Sequence, residues 1–126
     1  YAHVYYTDLK PKATDVRIFC ASDTTLNPPT TPNCVSGQNA SHPGGWGTIL
    51  IVGMRFGGGA MSVTDNFGMG SETRTFRSAY YVFDVTNPEK KPRLLWKFTD
   101  ANLGFTTGYP GIIHINSSPE KWFMTG

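Results

Sequence analysis

Two cysteines, Cys20 and Cys34, carry the most readily assigned chemistry in this chain. They bracket a segment of Thr, Pro and Asn that has almost nothing to bury and would be floppy if untied. A disulfide closing a loop of this length stabilises a fold by about 3 kcal/mol in the chain-entropy model. A metal site needs more ligands at short spacing. The spacing therefore predicts a Cys20–Cys34 disulfide and an oxidising compartment, with two free thiols as the alternative.

Other polar residues are weaker candidates for metal binding. Asp65, Asn66 and Glu72 share one segment and offer oxygen ligands of the kind that Ca²⁺ prefers. Their number is small and their spacing irregular, so a solvated loop is the favoured interpretation. The histidines are far apart in the sequence and form no recognisable ligand pair: His3, His42 and His114. We expect no cofactor.

Asp84 is the acidic residue with the best-defined local context, because it is followed by Val-Thr-Asn-Pro. In such a hairpin an Asp carboxylate accepts hydrogen bonds from backbone N–H groups two or three residues further on. Capping of this turn is therefore predicted, in preference to a catalytic role. No Ser-His-Asp or Cys-His arrangement can be argued from the order of the residues. We expect a protein that is not an enzyme.

The composition favours an all-β fold. Aromatic residues make up 13% of the chain, which also has 14 Gly and 9 Pro, a mixture suited to strands and turns. The third predicted strand is a continuous apolar run, as expected of a strand covered on both faces. Positions 57–76 are predicted to form a long loop, as are positions 20–34. The predicted strands span residues 2–6, 15–20, 47–54, 78–85, 93–99, 111–115 and 121–125.

The tryptophans lie in or beside these strands and are interpreted as packing residues. A sugar-stacking platform is the alternative, since exposed aromatic side chains mark binding surfaces. The side chains predicted to be mostly buried are Ile49, Ile51, Tyr81, Phe83, Leu95 and Trp96.

Charge and hydropathy exclude two classes of function. The net charge is +2, from 11 basic and 9 acidic residues spread along the chain, without the clustered basic face typical of nucleic-acid binders. No apolar run approaches the roughly 18 residues of a membrane-spanning helix. We therefore expect neither a nucleic-acid partner nor a membrane span.

Short strands, tight turns and recurring aromatic residues are typical of β-propeller blades. The whole of residues 1–126 is predicted to form a partial propeller of about two to three blades, and a small β-sandwich is the alternative. The residues assigned to a structural blade motif are Trp46, Asp84, Trp96 and Phe98. Because such a fragment leaves strand edges and apolar faces open, we expect further blades or other chains to cover them.

Three segments resemble one protein family. The run at 45–59, Gly-Trp-Gly-Thr-Ile-Leu-Ile-Val-Gly-Met-Arg-Phe-Gly-Gly-Gly, resembles a blade start in the PilY1/PilC family of type IV pilus tip-associated proteins. The run at 79–88, Ala-Tyr-Tyr-Val-Phe-Asp-Val-Thr-Asn-Pro, is similar to an aromatic-rich strand of that family. Leu-Leu-Trp-Lys-Phe-Thr-Asp at 94–100 follows in the same order. The similarity covers about residues 44–115.

The resemblance implies a seven-bladed, quinoprotein-like propeller on an exported protein of the bacterial surface. It implies roles in pilus assembly, retraction control and adhesion, with pilus subunits, other chains of the same assembly, or a host or surface receptor as partners. The family's acidic calcium loop is not matched, so calcium control is not carried over. Two alternatives stay open: a fragment of a quinone-dependent oxidoreductase propeller, and a structural subunit of an extracellular filament.

Overall fold

The computed structural model describes residues 7–20, 34, 42–57, 59, 61–66, 68, 70–117 and 121–125. In this part the chain is all-β, and its helical content is a single 3-10 turn at Pro43–Gly45. The strands are β1 (Lys12–Arg17), β2 (Trp46–Gly53), β3 (Met61–Asn66), β4 (Ser71–Phe76), β5 (Tyr80–Asp84), β6 (Arg93–Phe98), β7 (Gly111–Ile115) and β8 (Lys121–Thr125).

Four strands form the main sheet, in the spatial order β1-β2-β5-β6, and every neighbouring pair is antiparallel. Side chains of β2 alternate between the two faces, as the strand period of two requires. Ile49 and Ile51 are buried on one face, whereas Leu50 and Val52 on the other are half-buried. The expectation that this strand is covered equally on both faces was therefore wrong.

β3 and β4 form a separate two-stranded antiparallel sheet inserted between β2 and β5. The prediction of a long loop over 57–76 was wrong for these twelve strand positions. The pattern gave no signal because both faces of the hairpin are largely exposed, so no alternation of apolar and polar residues developed. Thr, which is common here, favours strands through its branched side chain.

The hydrophobic core lies on one face of the main sheet. Its fully buried members are Val16, Phe19, Ile49, Ile51, Tyr80 and Val82. The third sheet, β7–β8, supplies Ile112, Trp122 and Met124, which are half-buried against this cluster. The core therefore forms between the main sheet and the β7–β8 hairpin, by the layer packing that buries one face of a sheet.

The connection from β6 to β7 is anchored on the main sheet. The buried Thr106 hydroxyl accepts hydrogen bonds from the backbone N–H groups of Met54 and Arg55, at 3.0 and 2.9 Å. The Tyr80 hydroxyl donates to the carbonyl of Gly108 at 3.0 Å, and burial raises the pKa of Tyr80. These bonds fix the position at which β7 begins.

The other predicted strands are confirmed with shifted ends, except that 2–6 lies outside the described residues. The second predicted strand starts earlier, at Lys12, and ends at Arg17. The two last strands have the predicted bounds. Of the six side chains expected in the core, Ile49 and Ile51 are buried, while Tyr81, Phe83 and Leu95 are half-buried. Trp96 is 43% exposed, so its predicted burial was wrong: β6 is an edge strand.

The described residues form three small antiparallel sheets that do not close on one another. They contain one four-stranded unit rather than the expected two to three. Over the same part of the chain, no helix has the length and apolar character needed to cross a membrane.

Candidate functional site

Cys20 and Cys34 are joined in a disulfide, as the sequence predicted. Cys20 follows Phe19, a core residue just beyond the end of β1. The bridge therefore holds the segment that follows Cys34 close to the edge of the core. This constraint matters because the next described residue of that segment, His42, enters the core.

His42 is an ionisable side chain with only 1% of its surface exposed. Its ring stacks on Phe19, with ring centroids 3.8 Å apart and planes 18° from parallel. The Nε2 atom lies 3.0 Å from Oδ2 of Asp84, whose side chain is 11% exposed. An imidazole and a carboxylate thus meet where little water enters, and this strengthens their electrostatic interaction.

Thr86 completes the cluster on the other side of the carboxylate. Its hydroxyl donates to Oδ1 of Asp84 at 2.7 Å, and its backbone N–H donates to the same oxygen at 3.0 Å. The hydroxyl also accepts from the backbone N–H of Thr48 at 3.0 Å. The predicted turn-capping role of Asp84 is therefore confirmed, and the turn is tied to β2.

Gly47 makes this convergence possible. A Cβ atom at position 47 would lie 2.4 Å from the Phe19 ring and 2.7 Å from both the His42 ring and the Thr86 hydroxyl. Real side chains do not approach so closely. The absence of a side chain at Gly47 lets Phe19, His42 and Thr86 meet over β2.

The environment of Asp84 acts on its pKa in two directions. Burial alone would raise the pKa, but the hydrogen bonds from Thr86 and the neighbouring His42 imidazole outweigh it and hold the pKa of Asp84 below its usual range. The carboxylate is accordingly ionised at neutral pH, and it presents negative charge to the imidazole ring.

The order of groups in this cluster does not suit nucleophilic catalysis. An activated hydroxyl needs the base beside it, with a third group orienting that base. Here the carboxylate lies between the Thr86 hydroxyl and the His42 ring, and the hydroxyl donates to the carboxylate. Burial also keeps a substrate away from His42. The geometry describes a structural tie between β2, the turn after β5 and the segment containing His42.

The face of the main sheet opposite Ile49 and Ile51, here called the outer face, is also apolar. The strand registers place one apolar residue of each strand in a single row: Ala13, Leu50, Phe83 and Leu94. Tyr81 lies beside this row and stacks on Phe83, with centroids 6.4 Å apart. The ends of the row are open, and Leu94 is 51% exposed.

Further aromatic side chains are exposed at the margins of the core. Trp96 and Phe98 share the core face of β6 with Tyr80 and Val82 by strand register, yet both are exposed at the sheet edge. Trp46 is likewise exposed, and it contacts Trp122 edge-to-face with centroids 6.2 Å apart. Of the four residues assigned to a blade motif, only Asp84 is largely removed from solvent.

The weak metal candidates do not converge. Asp65 and Glu72 are cross-strand partners at one end of the β3–β4 hairpin, but Asn66 pairs with Ser71 and so points to the opposite face. Their oxygens are engaged locally, since Asp65 accepts from the N–H of Asn66 and Glu72 bonds Arg74. Among the described residues no group of three His, Cys, Asp or Glu side chains is placed to hold a metal ion.

The chain has no detectable similarity to known proteins in the three comparisons made. No protein-family model matches it, and neither characterised proteins nor solved structures show significant similarity. The functional interpretation therefore depends on the residues and on their arrangement.

The His42 cluster was missed at the level of sequence. Asp84 and Thr86 are close along the chain, and their mutual bond follows the local turn pattern. His42 comes from a distant segment between Gly- and Pro-containing stretches, where nothing in its spacing indicates burial. The one signal available was Gly47, a glycine inside an apolar strand, which suggests a close approach by other groups.

Proposed function

We propose that this chain is part of an exported bacterial surface protein that acts by binding other macromolecules and not by catalysis. Within that class, the resemblance described above favours a pilus-associated protein of the type IV pilus tip, with the main sheet serving as one blade of a β-propeller.

The apolar row on the outer face carries this proposal. A sheet that is apolar on one face needs one covering layer, whereas apolar side chains on both faces call for a layer on each side. The core face is covered by β7–β8, but Leu94 and Ala13 at the ends of the outer row are exposed. An apolar surface of this kind marks a site of contact with another domain or chain.

The topology supports the propeller interpretation. Propeller blades are four-stranded antiparallel sheets, and neighbouring blades cover one another's faces. The order β1-β2-β5-β6 follows the chain direction, with the β3–β4 hairpin inserted at one connection. The Cys20–Cys34 disulfide supports export, because disulfides persist in oxidising compartments.

A genetic experiment tests the proposal. Deleting the gene in the bacterium that encodes it is expected to reduce surface pili and attachment, and the wild-type gene should restore both. Complementation with Leu94→Asp places a charge on the outer face, and we expect it to restore neither. Lys90→Asp, in the exposed turn after Asn87, is the matched control and should restore both.

Three results would overturn the proposal or a part of it. Normal piliation and attachment after deletion would remove the pilus assignment. Dye-linked oxidation of alcohols or sugars by the purified protein, together with a bound chromophore, would replace binding with quinone-dependent catalysis. Restoration by Leu94→Asp at normal protein levels would show that the outer face is not the contact surface.

A further inference from the structure

We propose that the free edge of β4 pairs with the same edge of a second copy of this chain, antiparallel about a twofold axis through Thr73. The inference is independent of the pilus assignment and concerns the β3–β4 hairpin alone. It rests on the isolation of that hairpin, on the charges of β4 and on the faces that the pairing would join.

The hairpin has unpaired strand edges on both sides. β3 and β4 pair only with each other, so among the described strands each has one edge without a ladder partner. Such edges present backbone N–H and C=O groups that can template another strand. A two-stranded hairpin that is largely exposed on both faces is also marginally stable by itself. A further strand on either side would stabilise it.

Symmetry restricts the possible registers of a strand with its own copy. In antiparallel pairing, residues whose backbone groups point outward must face one another, so the twofold axis passes through one residue and its copy. An axis at Glu72 would oppose two carboxylates, and an axis at Arg74 would oppose two guanidinium groups. An axis at Thr73 places Glu72 opposite Arg74 of the second copy, twice. Of these three central registers, only this one matches opposite charges.

The register through Thr73 also continues the surface of the hairpin. Ser62 and Thr75 hydrogen-bond across the β3–β4 pair at 3.0 Å, and Thr64 and Thr73 do so at 2.7 Å. This hydroxyl face of β4 would meet its own copy, with Thr73 opposite Thr73 and Ser71 opposite Thr75. The opposite face would carry the two Glu72–Arg74 contacts. Both faces of the resulting four-stranded sheet are therefore matched in chemistry.

The other edge of the hairpin is less suited to this pairing. On β3 the charged residue is Asp65, and an axis through Thr64 would place it opposite Val63. The edge strand β1 has a matching pair, Asp15 and Arg17, but both are engaged within the fold. Asp15 accepts from the Thr48 hydroxyl at 2.6 Å, and Arg17 donates to the carbonyl of Gly44 at 2.9 Å.

Sedimentation of complementary charge variants tests the pairing. A six-residue edge is small, so self-association is expected to be weak and visible at about 0.1–1 mM protein. Arg74→Glu and Glu72→Arg each place like charges opposite one another, and each should weaken self-association about tenfold or more. An equimolar mixture of the two should restore it, because both carboxylates on β4 of the first variant then face both guanidinium groups on β4 of the second.

The control is Lys90→Glu, which changes the net charge as Arg74→Glu does but lies in the exposed turn after β5. It should self-associate like the wild type. A monomeric wild type at the highest concentration would overturn the proposal. Self-association that persists in either variant, or a mixture as weak as the separate variants, would do the same, because another surface would then be responsible.

A covalent trap checks the position of the axis. Paired strands bring opposing Cα atoms to about 4.5–5.5 Å, within the range of a disulfide. Oxidised Thr73→Cys should therefore form a dimer linked through position 73, identified by peptide mapping. Thr64→Cys lies on the same face of the neighbouring strand and should cross-link far less. Equal cross-linking by the two variants would overturn the proposed register.

Discussion

The β2–β5 pair and the β3–β4 pair are both antiparallel ladders, but they differ in what their faces contact. Ile51 in β2 is 0% exposed and contributes to the core with Val82 of β5. In β3–β4 the side chains are mainly hydroxyl-bearing or charged, and most are exposed. Backbone hydrogen bonds contribute modestly to net stability, since water competes for the same groups. Burial therefore accounts for the stability of the first pair, and the second lacks that contribution.

The largest effect that separates the two pairs is expected from Ile51→Ala. Truncation of this fully buried side chain removes transfer energy and leaves a cavity, at a cost of about 2–5 kcal/mol. Val63→Ala in the hairpin, where the side chain is half-buried, should cost about 1 kcal/mol or less. Urea unfolding gives both values. Equal costs would contradict the assignment of stability to the core face.

Gly47→Ala tests the crowding beneath the His42 cluster. The added methyl meets Phe19, His42 and Thr86, and overpacking of this kind costs about 1–3 kcal/mol. Gly104→Ala is the matched control, because no atom lies within 4 Å of a Cβ there. Its effect should be neutral, or stabilising by up to about 1 kcal/mol. Thermal melts of both variants measure the difference, and a neutral Gly47→Ala would show that the cluster can relax.

Asp84→Asn should remove a pH dependence as well as stability. Because the folded-state pKa of Asp84 lies below its unfolded value, its contribution is present above about pH 4 and is lost as pH falls through the folded pKa. At pH 7 the substitution should cost about 1–3 kcal/mol, since the Thr86 donors and His42 lose their charged partner. Denaturation between pH 2 and pH 7 provides the measurement, and Asp65→Asn is the control. Parallel pH profiles of wild type and Asp84→Asn would contradict this assignment.

Trp96→Ala gives the smallest of these effects. Because the side chain is 43% exposed on an edge strand, its loss should cost about 1–2 kcal/mol, less than the roughly 3–5 kcal/mol typical of a buried Trp. Trp122→Ala should cost more, since Trp122 packs on the core and on Trp46. A cost for Trp96→Ala in the buried range would place this side chain in a covered position.

Local chemistry made part of this arrangement predictable. The apolar runs that became β2, β5 and β6 were recognisable, because strands that bury side chains need such residues. The turn after Asp84 was recognisable because its hydrogen bonds join residues two positions apart. The hairpin at 61–76 was not, because exposed strands impose little pattern on a sequence. Trp96 was misjudged because sequence does not indicate which strand lies at an edge.

The sequence by itself determined the all-β character, the main strands and the Cys20–Cys34 pairing, since these depend on residue type and on short spacings. Only the tertiary structure decided that His42 stacks on Phe19 and meets Asp84, because contacts between distant segments follow from strand order and close packing. It also decided which apolar residues align across the outer face, since that depends on the register of β1, β2, β5 and β6. A shift of one residue in any pair would move those side chains to the opposite face.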